Sequence, residues 1–391
     1  MKPLVVVSSA IANKPWNGGN ARMVLNWLEG LERLGADVFF VEQIQSAHCV
    51  DELGRPSGID DSVNLRYLER VMAAHGFESR TALVGDAGDT LERATLFGAA
   101  ADELLDLAEQ ADLLINVSGH LSIAALKDRF RRKAYVDLDP GYTQIWHAQG
   151  SGAARLDGHD VFFTVGQRVG SSAFNVPTDG IEWRPIRQPI VLDRCARDTN
   201  TSAGRFTTIA SWRGAYAPVT FEGTTYLAKA HEFRKIVDLP RLLDRAFEVA
   251  LDIYPGDVND LDRLRTAGWH VVNPRHVAAM PDDYCDYIEG SAAECSAAQG
   301  IYVQTGSGWF SDRTARYLAS GKPALVQDTG FTTPESGEGL IVFNTVEEAA
   351  AGAARIARDY QAHSEAARWL AEQYFDSDAE LSRVMEGAGL H

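Results

Sequence analysis

The chain has 391 residues, a hydrophobic content of 45% and a formal net charge of −17. Its length predicts two domains, and no apolar run reaches the ~20 residues that a membrane-spanning helix needs. The acidic balance argues against nucleic acid or an anionic membrane as a partner, because both repel a negatively charged surface.

The first half of the chain alternates predicted strands and helices. Strands are expected at Leu4–Ser8, 37–41, 112–117, 133–138 and 160–165, and helices at 19–34, 62–75 and 90–109. Such alternation predicts a parallel sheet with helices on both faces. The N-terminal run MKPLVVVS is interpreted as the first core strand and not as a leader, so the protein is expected to be cytoplasmic.

Residues 166–205 are rich in Gly and Pro and end in the polar run RDTNTSAGR, a composition typical of a linker. A second alternating series follows, with strands at Phe206–Ser211, 249–254, Trp269–Val272, 301–304, Ala324–Gln327 and Leu340–Phe343, and helices near 239–247, 258–267, 280–298, 311–320 and 346–360. A last helical segment runs from about 364 and breaks near 375–377. The chain is therefore predicted to be an α/β protein with two Rossmann-like domains, 1–190 and 200–365, facing a central cleft. Ligands of such sheets bind beyond the carboxyl ends of the strands.

Residues 300–330 carry the most specific pattern. The run 301–304 is predicted to be a buried strand, followed by a turn at Gly306, Ser307 and Gly308 and then Trp309. Ser311 is a predicted N-cap, with Asp312 and Arg313 in the first helical turn. A Gly-rich loop that leads into a helix N-terminus predicts an anion site, because free amides and the helix dipole face the ligand. The polar loop Asp328, Thr329 and Gly330 follows the next strand, so two loops would frame a phosphorylated ligand.

Polar residues also follow the strands of the first half. They comprise a Gly loop with Asn17, Gly18 and Gly19, then His120, and a cluster formed by Asp137, Asp139, Gln144 and His147. Carboxylates and imidazoles over a cleft are candidate general bases, so Asp137, Asp139 and His120 are predicted to be catalytic and the others to line an acceptor pocket. The alternative is purely structural: a tight strand-to-helix turn at the Gly loop, an ordinary turn at Asp139 and a helix cap at Asp137. The Gly loop lacks the G-x-G-x-x-G spacing, which disfavours NAD.

In the second half, the first strand ends in Ser211, Arg213 and Gly214, residue types that suit a phosphate or a sugar ring. The strand ending at position 272 is followed by Asn273, in a loop that could hold a nucleobase through its backbone. Arg313 is placed to offset diphosphate charge.

The segments GSGWFSDRTARYLASGKPALVQDTGF, GEGLIVFNTVEEA and AARWLAEQYFDS resemble nucleotide-sugar-dependent glycosyltransferases of the GT-B fold. The similarity is nearest to bacterial family-1-type enzymes, including those with a spore-coat-type C-terminal half. It implies a donor-binding second half, an acceptor-binding first half and a C-terminal helix, 366–391, that packs back on the first half. It also implies that residues 306–313 hold the diphosphate, that Asp328, Thr329 and Gly330 lie near the donor sugar, and that Asn273 lies near the base.

One departure from the family is clear. Aligning the turn ASGKP places Gly308 and Arg316 where many retaining members carry two glutamates.

The predicted activity is transfer of a sugar from a nucleotide diphosphate sugar to a hydroxyl or amine group of an acceptor, a small metabolite, without a metal or another cofactor. The second half has no Asp-x-Asp at a strand end, and Asp137-Leu138-Asp139 lies in the acceptor half. Two alternatives stay open from the sequence: a sugar-nucleotide epimerase of the same architecture, and a two-lobed sugar-binding protein without activity.

Overall fold

The computed structural model describes residues 2–196, 204–214, 216–331 and 337–390. Most of the polar run predicted to be a linker, 197–203, lies outside these ranges. The first half contains β1 (Leu4–Ser8), β2 (Asp37–Ile44), β3 (Thr81–Gly85), β4 (Thr95–Phe97), β5 (Leu113–Val117), β6 (Lys133–Asp137), β7 (Val161–Thr164) and β8 (Trp183–Pro185), with helices α1 (Gly18–Arg33), α2 (Val63–Ala74), α3 (Ala101–Gln110), α4 (Ala124–Lys127) and α5 (Tyr142–Ala148).

The second half contains β9 (Phe206–Ser211), β10 (Val219–Phe221), β11 (Thr224–Tyr226), β12 (Phe247–Asp252), β13 (Trp269–Val272), β14 (Ala293–Ser296), β15 (Ala324–Gln327) and β16 (Leu340–Phe343). Its helices are α6 (Lys229–Phe233), α7 (Val258–Ala267), α8 (Pro274–Val277), α9 (Pro281–Glu289), α10 (Gly300–Thr305), α11 (Asp312–Ala319) and α12 (Val346–Arg358). The chain ends with α13 (Tyr360–Tyr374) and α14 (Ser377–Gly387).

Each half is built around one sheet. The first sheet has the order β4-β3-β2-β1-β5-β6-β7-β8 and the second the order β13-β12-β9-β14-β15-β16. All neighbouring strands are parallel except β3 and β4, and except the separate β10–β11 hairpin. In both sheets the order reverses beside the first strand, the Rossmann pattern whose switch point forms a ligand crevice. The prediction of two Rossmann-like domains is confirmed.

The core explains why these segments pair. The strands β1 and β5 read as nearly continuous apolar runs because helices cover both faces of a parallel sheet. On one face, α1 buries Trp27, Leu28 and Leu31, each with 0% of its surface exposed. The same core contains Leu381 of α14, so the last helix packs on the first half beside α1.

Several predicted elements are wrong, and all are short or ambiguous. Residues 301–304 belong to the helix α10, which ends at Gly306 with a left-handed φ of 58°. The predicted helix 280–298 is instead α9 followed by the buried strand β14, so Cys285 and Cys295 lie on different elements. The predicted helix 90–109 contains the edge strand β4, and 239–247 holds a single 3-10 turn before β12. A short apolar run fits a strand or a buried helix equally well, so neighbours in the fold decide between them.

Candidate functional site

A cavity of about 450 Å³ lies between the two halves, at the carboxyl ends of both sheets. From the first half it is lined by Lys14, Pro15, Trp16, Asn17, Gly19, Asn20, Met23, Leu138, Asp139 and Gln188. From the second half it is lined by Ile209, Ala210, Ser211, Gly214, Lys229, Asp252, Pro274, Arg275, Ala278, Tyr284, Gln299, Tyr302, Trp309, Asp312 and Arg313. Eight of the residues predicted from the sequence are therefore brought together: Asn17, Gly19, Asp139, Ser211, Gly214, Trp309, Asp312 and Arg313.

The second-half wall is organised around Arg313 at the start of α11. The Ser311 side chain caps this helix by accepting from the Arg313 backbone N–H at 3.2 Å. The Arg313 guanidinium donates from Nε to Glu294 Oε1 at 2.7 Å and from Nη1 to the Ile209 carbonyl at 2.8 Å. Because Glu294 is fully buried on β14, the cation is held rigidly between two strands of the sheet.

Lys229, the first residue of α6, lines the cavity beside Arg313. Burial, followed by repulsion from Arg313, lowers the pKa of Lys229 to about 7, although Glu294 and Asp312 act in the opposite direction. The β10–β11 hairpin leads the chain from β9 to this position. Tyr216, which precedes the hairpin, contacts the first half: its ring packs edge-on against Trp146, with ring centroids 4.9 Å apart.

The first-half wall is the loop between β1 and α1. The buried Glu42 carboxylate accepts from the backbone N–H groups of Ile11, Ala12 and Asn13, each at 2.8 Å, and this anchors the loop. Asn17 caps α1 by accepting from the Asn20 N–H at 3.0 Å. The Gly loop thus has a structural role and also faces the cavity, so the two alternatives left by the sequence are compatible.

Gly18 and Gly19 bring α1 close to the second half. The Gly18 N–H donates to the Ala278 carbonyl at 3.0 Å, and a Cβ added at Gly18 would lie 2.2 Å from the Met280 carbonyl oxygen. A Cβ at Gly19 would lie 2.9 Å from the Tyr284 ring. Glycine is needed here because the backbone of one half approaches the other directly.

Asp139 joins the two halves inside the cavity. Its Oδ1 accepts from the Tyr302 hydroxyl at 2.7 Å and its Oδ2 from the Tyr216 hydroxyl at 3.1 Å, and both tyrosines belong to the second half. Tyr302 also stacks on Trp309 with ring centroids 4.4 Å apart. A carboxylate of the first half is therefore positioned by side chains of the second half.

Asp137 is fully buried and does not line the cavity. Its carboxylate accepts from Thr143 at 2.7 Å, from Thr164 at 2.8 Å and from Gln144 at 3.0 Å. Burial raises the pKa of Asp137 to about 6, against the effect of these hydrogen bonds. These hydrogen bonds fix the turn between β6 and α5. The Gln144 side chain is one of the donors, so Asp137 and Gln144 both have a structural role.

His120 lies outside the cavity lining. Burial, then repulsion from Lys14 and Arg155, lowers the pKa of His120 to about 3. A neutral imidazole with so low a pKa is a poor proton acceptor near neutral pH.

The loop expected to hold a diphosphate forms a contact between the halves. Gln167 N–H donates to the Gly308 carbonyl at 3.3 Å and Arg168 N–H to the Ser307 carbonyl at 3.1 Å. A Cβ at Gly308 would lie 3.0 Å from the Arg168 nitrogen. Gly306, which ends α10, and the buried Ser307 do not line the cavity either, so this stretch positions Trp309 and α11 indirectly.

The other predicted residues do not line the cavity. Arg213 is exposed and pairs with Asp257 at 2.6 Å, and Asn273 caps α8 by accepting from the Arg275 N–H at 2.9 Å. Thr329 donates to the Trp309 carbonyl at 2.6 Å, which links its loop to the cavity wall. The full set that the cavity lining omits is His120, Asp137, Gln144, His147, Gly18, Arg213, Asn273, Gly306, Ser307, Gly308, Ser311, Asp328, Thr329 and Gly330.

Sequence reasoning missed Lys14, Trp16, Lys229, Tyr284, Gln299 and Tyr302. Lys14 and Trp16 lie in the Gly loop between β1 and α1, which the sequence predicts to face the cleft, so their position in that loop could have identified them. Lys229 and Tyr302 have no local signal, because only the hairpin and the helical state of α10 bring them to the cavity.

Across the ranges that the structure describes, no three side chains of His, Cys, Asp or Glu are grouped as a metal site. In the same ranges, no helix combines the length and apolar character needed to cross a membrane.

No protein-family model and no curated protein matches the sequence. Solved structures do match over nearly the whole chain. An α-glucosyltransferase in complex with UDP and a 13-mer DNA containing an HMU base has a TM-score of 0.62 at 11% identity, with 100% of both chains covered. The Anabaena protein Alr3699/HepE in complex with UDP has a TM-score of 0.57 at 12% identity, also with 100% of both chains covered.

The pneumococcal O-GlcNAc transferase GtfA in complex with UDP and GlcNAc has a TM-score of 0.57 at 10% identity, with 99% of both chains covered. At such low identity these likenesses establish the fold alone. The chain is an α/β protein with two Rossmann-like domains that match the GT-B glycosyltransferase architecture.

Proposed function

We propose that the protein transfers a sugar from a nucleotide diphosphate sugar, with UDP as the nucleotide, to a hydroxyl group of an acceptor. One observation carries the proposal: the cavity of about 450 Å³ at the facing switch points has Lys229 and Arg313 beside the N-terminus of α11. Rossmann crevices bind phosphorylated ligands at this place. Three structures of the same architecture that contain UDP support the choice of nucleotide.

The donor diphosphate would lie against Lys229, Arg313 and the first amides of α11. Sugar transfer breaks the bond between the anomeric carbon and the diphosphate, so negative charge grows on the leaving group. Fixed cations and helix amides stabilise such charge without reorganising, and this would make a metal unnecessary. Ser211, Gly214, Trp309 and Asp312 complete the proposed donor wall, with the nucleobase near Asn273 and Arg275.

Asp139 is the proposed base among the three predicted candidates. It is the only one of them that lines the cavity, and the two tyrosine hydroxyls hold its carboxylate facing the donor half. In this role it would take the proton of the acceptor hydroxyl as that oxygen attacks the anomeric carbon. Residues 1–190 would then form the acceptor domain, 200–365 the donor domain, and 366–391 the helix returning to the first domain.

Thermal-shift measurements with UDP, TDP, GDP and uridine test the donor proposal. A nucleotide at 100 times its Kd stabilises the folded state by about 2.7 kcal/mol, so UDP should raise the Tm clearly and uridine, which lacks the phosphates, should not. If none of the three diphosphates stabilises the chain, the proposal is wrong. If UDP-glucose is consumed only by isomerisation and never by transfer or hydrolysis, the epimerase alternative replaces it.

A further inference from the structure

The acceptor side of the cavity carries an aromatic ring and a cation next to each other. Lys14 and Trp16 lie in the loop between β1 and α1, and both line the cavity. They come from the first half, whereas Lys229, Arg275 and Arg313 come from the second. The donor diphosphate proposed above uses Lys229 and Arg313, and Arg275 is proposed to lie near the nucleobase, which leaves Lys14 without a role.

Trp16 is held in an unusual backbone conformation. Its φ is 66°, in the left-handed region that residues other than Gly rarely adopt, and such a conformation costs on the order of 1–3 kcal/mol. The indole lies 6.0 Å from the Tyr67 ring, and the Tyr67 hydroxyl donates to the Ala279 carbonyl of the second half at 2.8 Å. The loop between β1 and α1 therefore places the Trp16 indole at the cavity, and Tyr67 supports that position.

The charge beside this ring is not neutralised. The Lys14 side chain is exposed and donates to the amide oxygen of Asn20 at 3.2 Å. Among the residues that the structure describes, no carboxylate lies within ion-pair distance of Lys14. The carboxylate of Asp139 faces the same cavity, but a tyrosine hydroxyl occupies each of its oxygens. Burial lowers the pKa of the neighbouring His120 most, and the positive charges of Lys14 and Arg155 lower it further.

We propose that Lys14 and Trp16 form the acceptor subsite, and that the acceptor is a ring compound carrying an anionic group, either a phosphate or a carboxylate. The inference rests on the proposed function and deepens it. A flat ring face stacks on the indole, and the ammonium forms a charge-assisted hydrogen bond with the anionic group. Phosphorylated sugars, uronic acids and aromatic hydroxy acids share this chemistry.

Equilibrium binding tests the subsite, measured by calorimetry with and without saturating UDP. The probes are glucose 6-phosphate and glucuronate against neutral glucose, and 4-hydroxybenzoate against phenol. At least one anionic probe should bind about tenfold or more tightly than its neutral counterpart, the gain expected of a charge-assisted bond. The three anionic probes distinguish phosphate from carboxylate and a sugar ring from an aromatic one.

The variants Lys14→Gln and Trp16→Ala separate the two contributions. Lys14→Gln should abolish the preference for the anionic probe, and Trp16→Ala should weaken both members of a pair, with Trp16→Phe restoring most of the loss. Lys2→Gln and Trp369→Ala are the matched controls, since both side chains are exposed outside the cavity lining. None of the five variants should change the affinity for UDP.

Equal affinity for anionic and neutral probes would overturn the inference, as would a Lys14→Gln variant that loses UDP affinity and keeps its preference among the probes. Failure of the proposed function has a different signature: UDP alone does not bind the wild-type protein, whatever the probes do in its absence.

Discussion

Lys229 offers a quantitative test of the proposed donor site. Its ammonium is disfavoured in the free protein, because burial and Arg313 lower its pKa to about 7. A diphosphate beside it would favour the charged form and raise that pKa. Binding of UDP must then take up a proton whenever Lys229 starts out neutral, so the affinity depends on pH.

The size of the effect follows from the pKa. In the proposed site, Lys229 would bind the diphosphate in its protonated form, whose population falls from about one half at pH 7 to about 1% at pH 9. If the pKa in the complex is above 9, the Kd for UDP should rise about 50-fold over this interval, or about 2.3 kcal/mol. Below pH 7 the curve should flatten, because Lys229 is then protonated in both states.

Calorimetric titration of UDP between pH 7 and pH 9 measures this dependence. The interval avoids the ionisation of the terminal phosphate, which lies near pH 6. Lys229→Arg keeps a positive charge at every pH and should give a nearly flat curve with strong binding, whereas Lys229→Gln should give a flat curve with weak binding. A wild-type curve as flat as that of Lys229→Arg would refute the placement of Lys229 at the diphosphate.

Three further predictions concern Arg313, Gly18 and Asp139. Arg313→Ala should lower the free energy of unfolding by about 3–5 kcal/mol, because it leaves the buried carboxylate of Glu294 unpaired. In denaturant titrations, adding Glu294→Gln should restore stability without restoring UDP affinity. An Arg313→Ala variant with unchanged stability would contradict the buried pair. Gly18→Ala should weaken the contact between the halves by about 1–3 kcal/mol, which would be measured as weaker UDP binding. Gly58→Ala is the control, because no atom lies within 4 Å of the added Cβ and the variant should be neutral. Asp139→Asn should lower the release of UDP from UDP-glucose about 100-fold or more with UDP affinity retained; unchanged turnover would remove Asp139 from the chemistry.

The parts of the fold with strong local signals were predicted closely. The strands Leu4–Ser8, Trp269–Val272 and Ala324–Gln327 and the helix Val258–Ala267 have the bounds expected from their patterns. Apolar runs, helical periodicity and Gly stops are encoded within a few neighbouring residues, so no tertiary information is needed. Alternation of such elements sufficed for two Rossmann-like domains.

Short buried segments were assigned wrongly because their state depends on distant partners. Residues 301–304 form a helix that packs Ile301 and Tyr302 against the first half. Ala293–Ser296 has a composition that favours a helix, yet it becomes a strand by pairing with β15 and β9. Burial in a parallel sheet outweighs intrinsic propensity, which amounts to a few tenths of a kcal/mol per residue.

In the candidate site, local residue patterns already specify which loops follow the strands, and therefore where a ligand crevice must lie. These patterns identified Arg313, Asp139 and the Gly loop of α1 because strand ends and helix starts have local signatures. Which side chains reach the cavity depends on tertiary packing. Lys229 arrives there through a hairpin docked on the other half. Asp139 is positioned by two tyrosines of the second half, and the carbonyls of Ser307 and Gly308 are used in a contact between the halves. These choices depend on how two separately folded sheets face each other, and no local pattern encodes that relation.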